Sequence, residues 1–293
     1  MMAKDTFQQD VPCPYCGFRS NFHFSYYRRT YFHCPSCDLI FLRRTEATTD
    51  MAAYYKNKYF DDCAEDQMEG KRVRLYNHIL DHMDKRTKRG PLLDVGCGCG
   101  FFLNEAQNRG WEIFGLDPSI KSIQHARHLI GDKALAGTIN DLPPHLSFRA
   151  VTLINVLDHM TGAWKELAII RSRLYADGMI YLRFPNGRFH ASIVRFFATV
   201  AKRPIANPYL VFHEYAFTPQ FIKRCLSDLG FLEIRIQNGT LAGNGFYGTE
   251  CSPVNVAGKA VQCLALAFFR MLDIISGGLW LWGPSLEITA RRA

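Results

Sequence analysis

The segment LLDVGCGCG, residues Leu92 to Gly100, runs an apolar stretch into three glycines at alternate positions, with Cys97 and Cys99 set between them. Read by its cysteines it is half of a metal site; read by its glycines it is a backbone turn that lets a ligand come close. The surroundings favour the glycines. PLLDV has the composition of a buried strand and the residues from Phe101 to Arg109 that of a helix, so Gly96, Gly98 and Gly100 fall in a strand-to-helix turn. Glycine suits that place because it adopts positive φ without penalty and puts no Cβ in a ligand's way.

The same alternation of strand and helix continues downstream. WEIFGLD predicts a strand and Ser119 to Ile130 a helix; KALAG predicts a short strand, FRAVTLINV a longer one, Thr161 to Tyr175 a helix and GMIYLRF a strand. TPQFIKRCLSDLG opens on a capping Thr with Pro in the first turn, as helices do, and the strand FLEIRIQ follows it. This order predicts an α/β, Rossmann-like, mostly parallel sheet with helices on both faces, whose ligands sit at the carboxyl ends of the strands. Asp117 closes the second strand 17 residues after Gly100, where a carboxylate can accept hydrogen bonds from both hydroxyls of a ribose. A nicotinamide-binding turn would space its glycines G-x-G-x-x-G, and here the third glycine comes one residue early.

LLDVGCGCGFFLNEAQNRGWEIFGLDPS resembles the first two motifs of class I S-adenosylmethionine-dependent methyltransferases, DVGCGTG and an acid after G-x-(D/E). FRAVTLINVLDHM resembles their fourth-strand motif FDxVxxxxVLEH, and LYADGMIYLRFPN resembles LKPGGxLxIxTPN. HEYAFTPQFIKRCLSDLGF is similar to the segment HxYxF(S/T)PxxLxxxLxxxGF of many small-molecule members. The resemblance runs from about Tyr54 to Gln237, and the ordered set is more specific than any one motif. It implies S-adenosylmethionine as cofactor and a seven-stranded sheet whose last, antiparallel strand is PSLEITARR. It also implies that Asp94, Gly96, Gly98 and Gly100 line the methionine end of the cofactor, that Asp117 holds the ribose, and that Asn155 lies beside the sulfonium. The adenine-binding position falls in GTINDLP, where Thr138 or Asn140 stands and Asp141 is displaced.

A sulfonium methyl is a strong electrophile, so the protein mainly has to align a nucleophile behind it and exclude water. Where the acceptor is a hydroxyl or an acidic carbon a base helps, and His159 in VLDHM is the first candidate, His213 in FHEYAF the second. A hydrogen-bonding structural role is the competing reading of both. Asp158 stands where the family usually has Glu and reads as a positioning group.

The cysteines that do suggest a metal lie upstream. Cys13, Cys16, Cys34 and Cys37 form CPYC and CPSC, two knuckles whose four thiolates can close a tetrahedral shell around structural zinc; iron is the rival ion and unligated thiols the rival state. The aromatic stretch FHFSYYRRTYFH between the knuckles predicts a pair of short strands. The organisation expected is a zinc ribbon over residues 1–44, a helical linker over 45–90 and a cofactor-binding domain over 91–293, with insertions at 186–211 and 238–283. Both insertions leave the carboxyl end of a strand, on the ligand side, and so should form a lid or substrate wall.

Net charge is +8, divided as +3 over residues 1–44, −1 over 45–182 and +6 over 183–293. No dense Lys/Arg run accompanies it, so a small-molecule acceptor (a sugar, a lipid-linked compound or a secondary metabolite) leads over nucleic acid. The alternatives are an RNA or protein methyltransferase that reads its substrate through the ribbon, with Arg28 and Arg29 among exposed aromatics, and a non-catalytic scaffold of the same fold. LALAFFRMLDIISGGLWLW, within 262–282, is interrupted by Arg270, Asp273 and a Gly-Gly pair; it predicts a packed amphipathic helix, with peripheral membrane contact the alternative. The opening MMAKDTFQQDVPCPYCG has no apolar core of a signal peptide, which points to the cytoplasm and to reduced thiols. Oligomeric state has no signal in the sequence.

Overall fold

A computed structural model describes residues 11–27, 29–44, 51–57, 60–61, 72–200, 210–240, 271, 275–276 and 280–293. Arg28, Lys202, Arg203, Cys63, Cys251, Cys263 and most of the 238–283 insertion, including nearly all of the candidate membrane-contact segment, lie outside the described residues.

The N-terminal knuckles carry four short strands: β1 (Val11–Pro12), β2 (Arg19–Tyr26), β3 (Arg29–His33) and β4 (Ile40–Leu42). Each knuckle closes on a backbone hydrogen bond, Gly17 N to Cys13 O and Asp38 N to Cys34 O, both 2.9 Å, and each ends on a residue with positive φ, Gly17 at 73° and Asp38 at 65°. The linker contributes α1 (Met51–Asn57) and α2 (Val73–Asp84). Leu75, Ile79, Leu80 and Met83 recur at helical spacing on α2 and are buried against the main sheet's core.

The alternating elements follow in the expected order: β5 (Pro91–Val95), α3 (Phe101–Asn108), β6 (Glu112–Asp117), α4 (Ile120–Ile130), β7 (Ala134–Ala136), β8 (Phe148–Ile154), α5 (Ala163–Arg173) and β9 (Leu174–Pro185). After them come α6 (Gly187–Val200), β10 (Tyr215–Ala216), α7 (Pro219–Asp228), β11 (Phe231–Asn238) and β12 (Ser285–Arg292). Ser119 caps α4 by accepting from Ser122 N at 3.2 Å, and Thr218 caps α7 by accepting from Phe221 N at 3.1 Å with Pro219 behind it.

Seven strands form the main sheet in the order β11-β12-β9-β8-β5-β6-β7. β5 through β9 pair in parallel, and β12 lies antiparallel between β9 and β11, as the resemblance implies for PSLEITARR. The chain moves outward one way through β6 and β7 and the other way through β8 and β9, so the order reverses between β5 and β8. Ligand crevices open at that reversal, beyond the carboxyl ends of the strands. The turn after β5 and the turn after β8 therefore face each other across it.

The ribbon is continuous with the rest of the molecule. A second sheet runs β1-β2-β3-β4-β10, its last strand coming from residues 215–216, with Tyr215 opposite Phe41 and Ala216 opposite Ile40. Cys13, Phe32, Cys34, Cys37, Leu39 and Phe41 pack in one apolar cluster with Leu153, Leu182, Phe217 and Phe221 of the α/β part. Among the described residues no helix is long and apolar enough to cross a membrane.

Candidate active site

The turn after β5 has the geometry its glycines require. Gly96, Gly98 and Gly100 take φ of 78°, 53° and 82°, all in the left-handed region. At Gly96 space is as restrictive as φ: a Cβ there would stand 2.4 Å from a methyl of Val156, in the turn after β8. Cys97 and Cys99 are buried, and burial pushes the Cys99 thiol up to about 11 and the Cys97 thiol well above its ordinary value. Gly115 on β6 leaves room for Cys97, whose Sγ would be 2.8 Å from a Cβ at that position. Neither belongs to a cluster of potential metal ligands among the described residues. Their presence in the loop is a matter of packing.

Two carboxylates flank this turn. Asp94 on β5 is 3% exposed and accepts a hydrogen bond from Thr152 Oγ1 at 2.6 Å; burial, aided by the nearby charge of Asp117, holds its pKa up to about 7. Asp117 accepts from Gly98 N at 3.0 Å and from Ser119 N at 2.8 Å, so the end of β6 is tied to the glycine loop; burial raises its pKa against those two bonds. Among the described residues neither carboxylate has an ion-pair partner. A cationic ligand would relieve both, and glycines leave it room. This cradle fits the cofactor that the sequence implies.

The positions at which the resemblance implies adenine binding are placed differently from one another. Thr138 caps a single turn over Ile139–Asp141, and Asp141 folds back to accept from Thr138 N at 2.7 Å and from Thr138 Oγ1 at 2.9 Å. Asn140 is exposed and hydrogen-bonds Glu166 on α5.

On the other side of the crevice, Asn155 follows β8 directly at φ 59°, a left-handed value that Asn adopts more readily than other residues with a Cβ. Its N–H donates to Arg183 O at 2.7 Å, and its Oδ1 accepts from Arg183 Nη1 at 2.8 Å. Arg183, on β9, is 1% exposed; its other Nη reaches Thr240 O at 2.9 Å, where the second insertion departs. Glu287 on β12, also 1% exposed, accepts from Thr240 N at 2.8 Å, Gln237 Nε2 at 3.1 Å and His78 Nε2 at 3.3 Å. Burial opposes ionisation of Glu287, and those bonds together with Arg183 outweigh it and lower its pKa. The first insertion departs nearby, with Asn186 Nδ2 donating to Leu281 O and Gly283 O at 3.0 and 2.9 Å. The segments that leave β9 and β11 and the one that enters β12 are thus joined by hydrogen bonds at this end of the sheet. Sequence reasoning missed Arg183 and Glu287, which read as ordinary strand residues; the signal was a pair of opposite charges inside two strands otherwise apolar enough to be central.

The two candidate bases, 54 positions apart, meet. The His159 and His213 rings lie 3.6 Å apart at 41°. Asp158, 2% exposed, sits against both: its Oδ1 is 3.9 Å from His159 Nε2 and its Oδ2 is 3.8 Å from His213 Nε2. Burial lowers His159 to about 3 and His213 well below its ordinary value, and raises Asp158 to about 7. His213 lies on the segment that leads into β10, and the Tyr215 hydroxyl accepts from Gly162 N at 3.1 Å, closing that segment onto the turn after β8.

The four upstream thiols also converge. Cys13 and Cys37 Sγ are 3.6 Å apart, Cys16 and Cys34 Sγ 3.5 Å, and all four sulfurs lie within 4.8 Å of one another. Sulfurs each about 2.3 Å from a tetrahedral zinc stand about 3.8 Å apart, so the cluster is compatible with a zinc ribbon. The hydrogen bond with Cys37 lowers the Cys13 thiol, while the same bond and burial push Cys37 up.

A family model described as a methyltransferase domain matches residues 67–234. No curated protein sequence matches the chain. Among solved structures, the chain is similar to a magnesium protoporphyrin IX methyltransferase from Synechocystis with bound S-adenosylhomocysteine, at 14% identity and a TM-score of 0.54, covering 83% of this chain and 98% of that one. It is similar to a SAM-dependent methyltransferase from Thermotoga maritima, described as a possible histamine N-methyltransferase, at 15% identity and a TM-score of 0.51, covering 80% and 98%. A plantazolicin methyltransferase with bound S-adenosylhomocysteine gives 15% identity and a TM-score of 0.53, covering 83% and 93%. At these identities the likeness is one of fold.

Proposed function

The chain belongs to the family of S-adenosylmethionine-dependent methyltransferases whose domain its residues 67–234 match, and we propose that its acceptor is a small molecule held in front of Asp158, His159 and His213. The observation that carries this reading is the meeting of those three side chains at the carboxyl end of β8, opposite the Gly96 turn. S-adenosylmethionine, when bound, supplies an electrophilic methyl on a sulfonium. Gly96, Gly98 and Gly100 give its methionine end space, Asp94 offsets its charge, and Asp117 receives the ribose on lone pairs left by Gly98 N and Ser119 N. Asn155, fixed by Arg183, borders the reacting end, and Thr138 and Asn140 border the adenine. His159 and His213 face the acceptor and make loss of its proton easier. An imidazole held low is a weak base alone, but Asp158 beside it stabilises the imidazolium as it forms. Cys13, Cys16, Cys34 and Cys37 hold structural zinc, a closed shell without an open position for chemistry.

A small acceptor is favoured over RNA by the ribbon's own packing. Phe24, Tyr26, Tyr31 and Phe32 are buried, three of them against Phe212, which leaves Phe18, Phe22 and Tyr27 as its exposed large aromatics among the described residues. Calorimetry with S-adenosylmethionine tests the cofactor half: Asp117→Ala should weaken binding by about 1.5–3 kcal/mol, the scale of hydrogen bonds to a charged group. Absence of binding by the wild-type chain at millimolar cofactor would refute the reading. His159→Ala should lower turnover by about 10²–10⁴-fold and leave cofactor affinity unchanged.

A further inference from the structure

Asp158, His159 and His213 have a property that proton transfer does not require. Their potential ligand atoms, one carboxylate oxygen and two ring nitrogens, all lie within 4.8 Å of one another. Two histidines and one carboxylate on one side of a crevice form a ligand set for a divalent transition ion, with the remaining positions open. Ligands about 2.1 Å from such an ion stand about 3.0–3.4 Å apart, so the two carboxylate–imidazole separations of 3.8 and 3.9 Å close by less than about 1 Å, and every pair, lying within 4.8 Å, by less than about 2 Å, as two rings and a carboxylate rotate. Asp158 and His159 share one tight turn, Leu157–His159, and His213 is held on the segment that leads into β10 by Tyr31 Oη, which donates to its carbonyl oxygen.

A second observation points the same way. Asp158 Oδ1 is buried and has no hydrogen-bond partner, and it lies 3.9 Å from His159 Nε2, while Oδ2 of the same carboxylate faces His213. A carboxylate oxygen removed from water without a donor is costly, and an ion between it and the imidazoles would satisfy it. The site also sits beside the cofactor turn, because Val156, two residues before Asp158, fills the space that Gly96 leaves.

We propose that Asp158, His159 and His213 bind a divalent ion of the zinc, iron(II) or cobalt(II) class, and that its open positions take the oxygen of the methyl acceptor; with the imidazole lone pairs then on the ion, the ion instead of a free imidazole eases loss of the acceptor's proton. The ligand class implied is an acceptor with two adjacent oxygens, such as a vicinal diol, a catechol or a hydroxycarboxylate, which can chelate an ion held from one side. The consequence for the acceptor rests on the methyl-transfer reading; the ion site itself does not.

The test is metal stoichiometry on the full chain. After equilibrium dialysis against Zn²⁺, elemental analysis should give two ions per wild-type chain, one in the His159→Ala/His213→Ala double variant, and one in Asp158→Asn. With Co²⁺, the wild type should show thiolate charge-transfer absorption from the ribbon plus ligand-field bands that the double variant lacks while its charge-transfer absorption persists. One ion per wild-type chain, or a second ion that survives in the double variant, overturns the proposal. The wild-type count decides even if a variant misfolds. Calorimetry with S-adenosylmethionine on the same samples separates the two readings. Cofactor binding with a single ion sinks the ion site alone, and two ions without cofactor binding sink methyl transfer alone.

Discussion

Gly17 and Gly96 have nearly the same φ, 73° and 78°, and very different surroundings. A Cβ on Gly17 would meet nothing within 4 Å, whereas one on Gly96 would meet Val156 at 2.4 Å. Gly17→Ala should therefore lose about 1–2 kcal/mol in urea melts, the penalty of left-handed backbone, and bind S-adenosylmethionine normally. Gly96→Ala adds about 1–3 kcal/mol of overpacking and displaces the turn that carries Asn155 and His159, so calorimetry should detect no cofactor binding. Replacing Cys97 and Cys99 by Ser should leave zinc content unchanged, because neither takes part in the four-thiol cluster. Asp94 gives a pH dependence of definite sign. Its native pKa of about 7 lies above the unfolded value of about 3.9, so between them the native chain keeps a proton that the unfolded chain releases. Its contribution to stability is lost as pH rises through that window. Asp94→Asn keeps an acceptor for Thr152, and should exceed the wild type by about 2–4 kcal/mol at pH 8, with the gain vanishing below about pH 4. The same variant should bind cofactor more weakly. Measuring both shows whether this carboxylate is retained for function against stability.

Among the elements, Thr218 is the place where a local signal and a long-range contact coincide. As cap of α7 its Oγ1 accepts from Phe221 N, and its hydroxyl donates to Asp38 O of the second knuckle at 2.9 Å. Thr218→Ala removes both and should lower stability by about 1–2 kcal/mol, whereas Thr218→Ser should recover most of it in thermal melts. The cap was legible in TPQFIKRC because capping chemistry is local. So were the parallel strands, whose apolar runs and intervening helices are continuous in the chain, and the antiparallel β12 once the family's order was recognised. The two-residue strand β10 was not, since it has no periodicity of its own and exists only because β4 offers it an edge. The pairing of His159 with His213 was half legible: each was marked by its motif, but their stacking depends on the turn after β8 and the approach to β10 being drawn together by Gly162 and Tyr215. Arg183 and Glu287 were invisible for a related reason. Buried opposite charges are tolerated only where partners from other elements satisfy them, and those partners come from α2, β8, β11 and the stem of the second insertion.

Across the whole molecule, the ribbon holds the segment that carries His213, and so forms a wall of the acceptor site we propose. Tyr31 Oη donates to His213 O at 3.0 Å, Leu42 N to Glu214 O at 2.9 Å and Arg29 Nη1 to Phe212 O at 3.4 Å, and Arg44 Nε pairs with Glu214 Oε1 at 2.7 Å. Phe212 packs on Phe24, Tyr26 and Tyr31 with ring centroids 4.8–5.4 Å apart. The segment that carries His213 is thus held from the ribbon side, while the Gly96 turn is held by β6 and α4. The ribbon shares its core with the α/β part, but the two knuckles are joined to each other through the four-thiol cluster, so an ion bound there would fix how they stand together. Loss of zinc should consequently act on one half of the site. Chelation, or Cys34→Ser, should speed hydrogen exchange across residues 210–218 and lower the melting temperature, while peptides from β5 and β6 stay protected and S-adenosylmethionine affinity changes by less than about threefold. Equal loss of protection in both halves would mean that the ribbon supports the whole fold. Unchanged exchange at 210–218 would mean that the segment that leads into β10 holds His213 without the ribbon's help. Only the selective outcome makes an ion at Cys13, Cys16, Cys34 and Cys37, more than a hundred positions before Asp158, His159 and His213 in sequence, a determinant of where the acceptor stands.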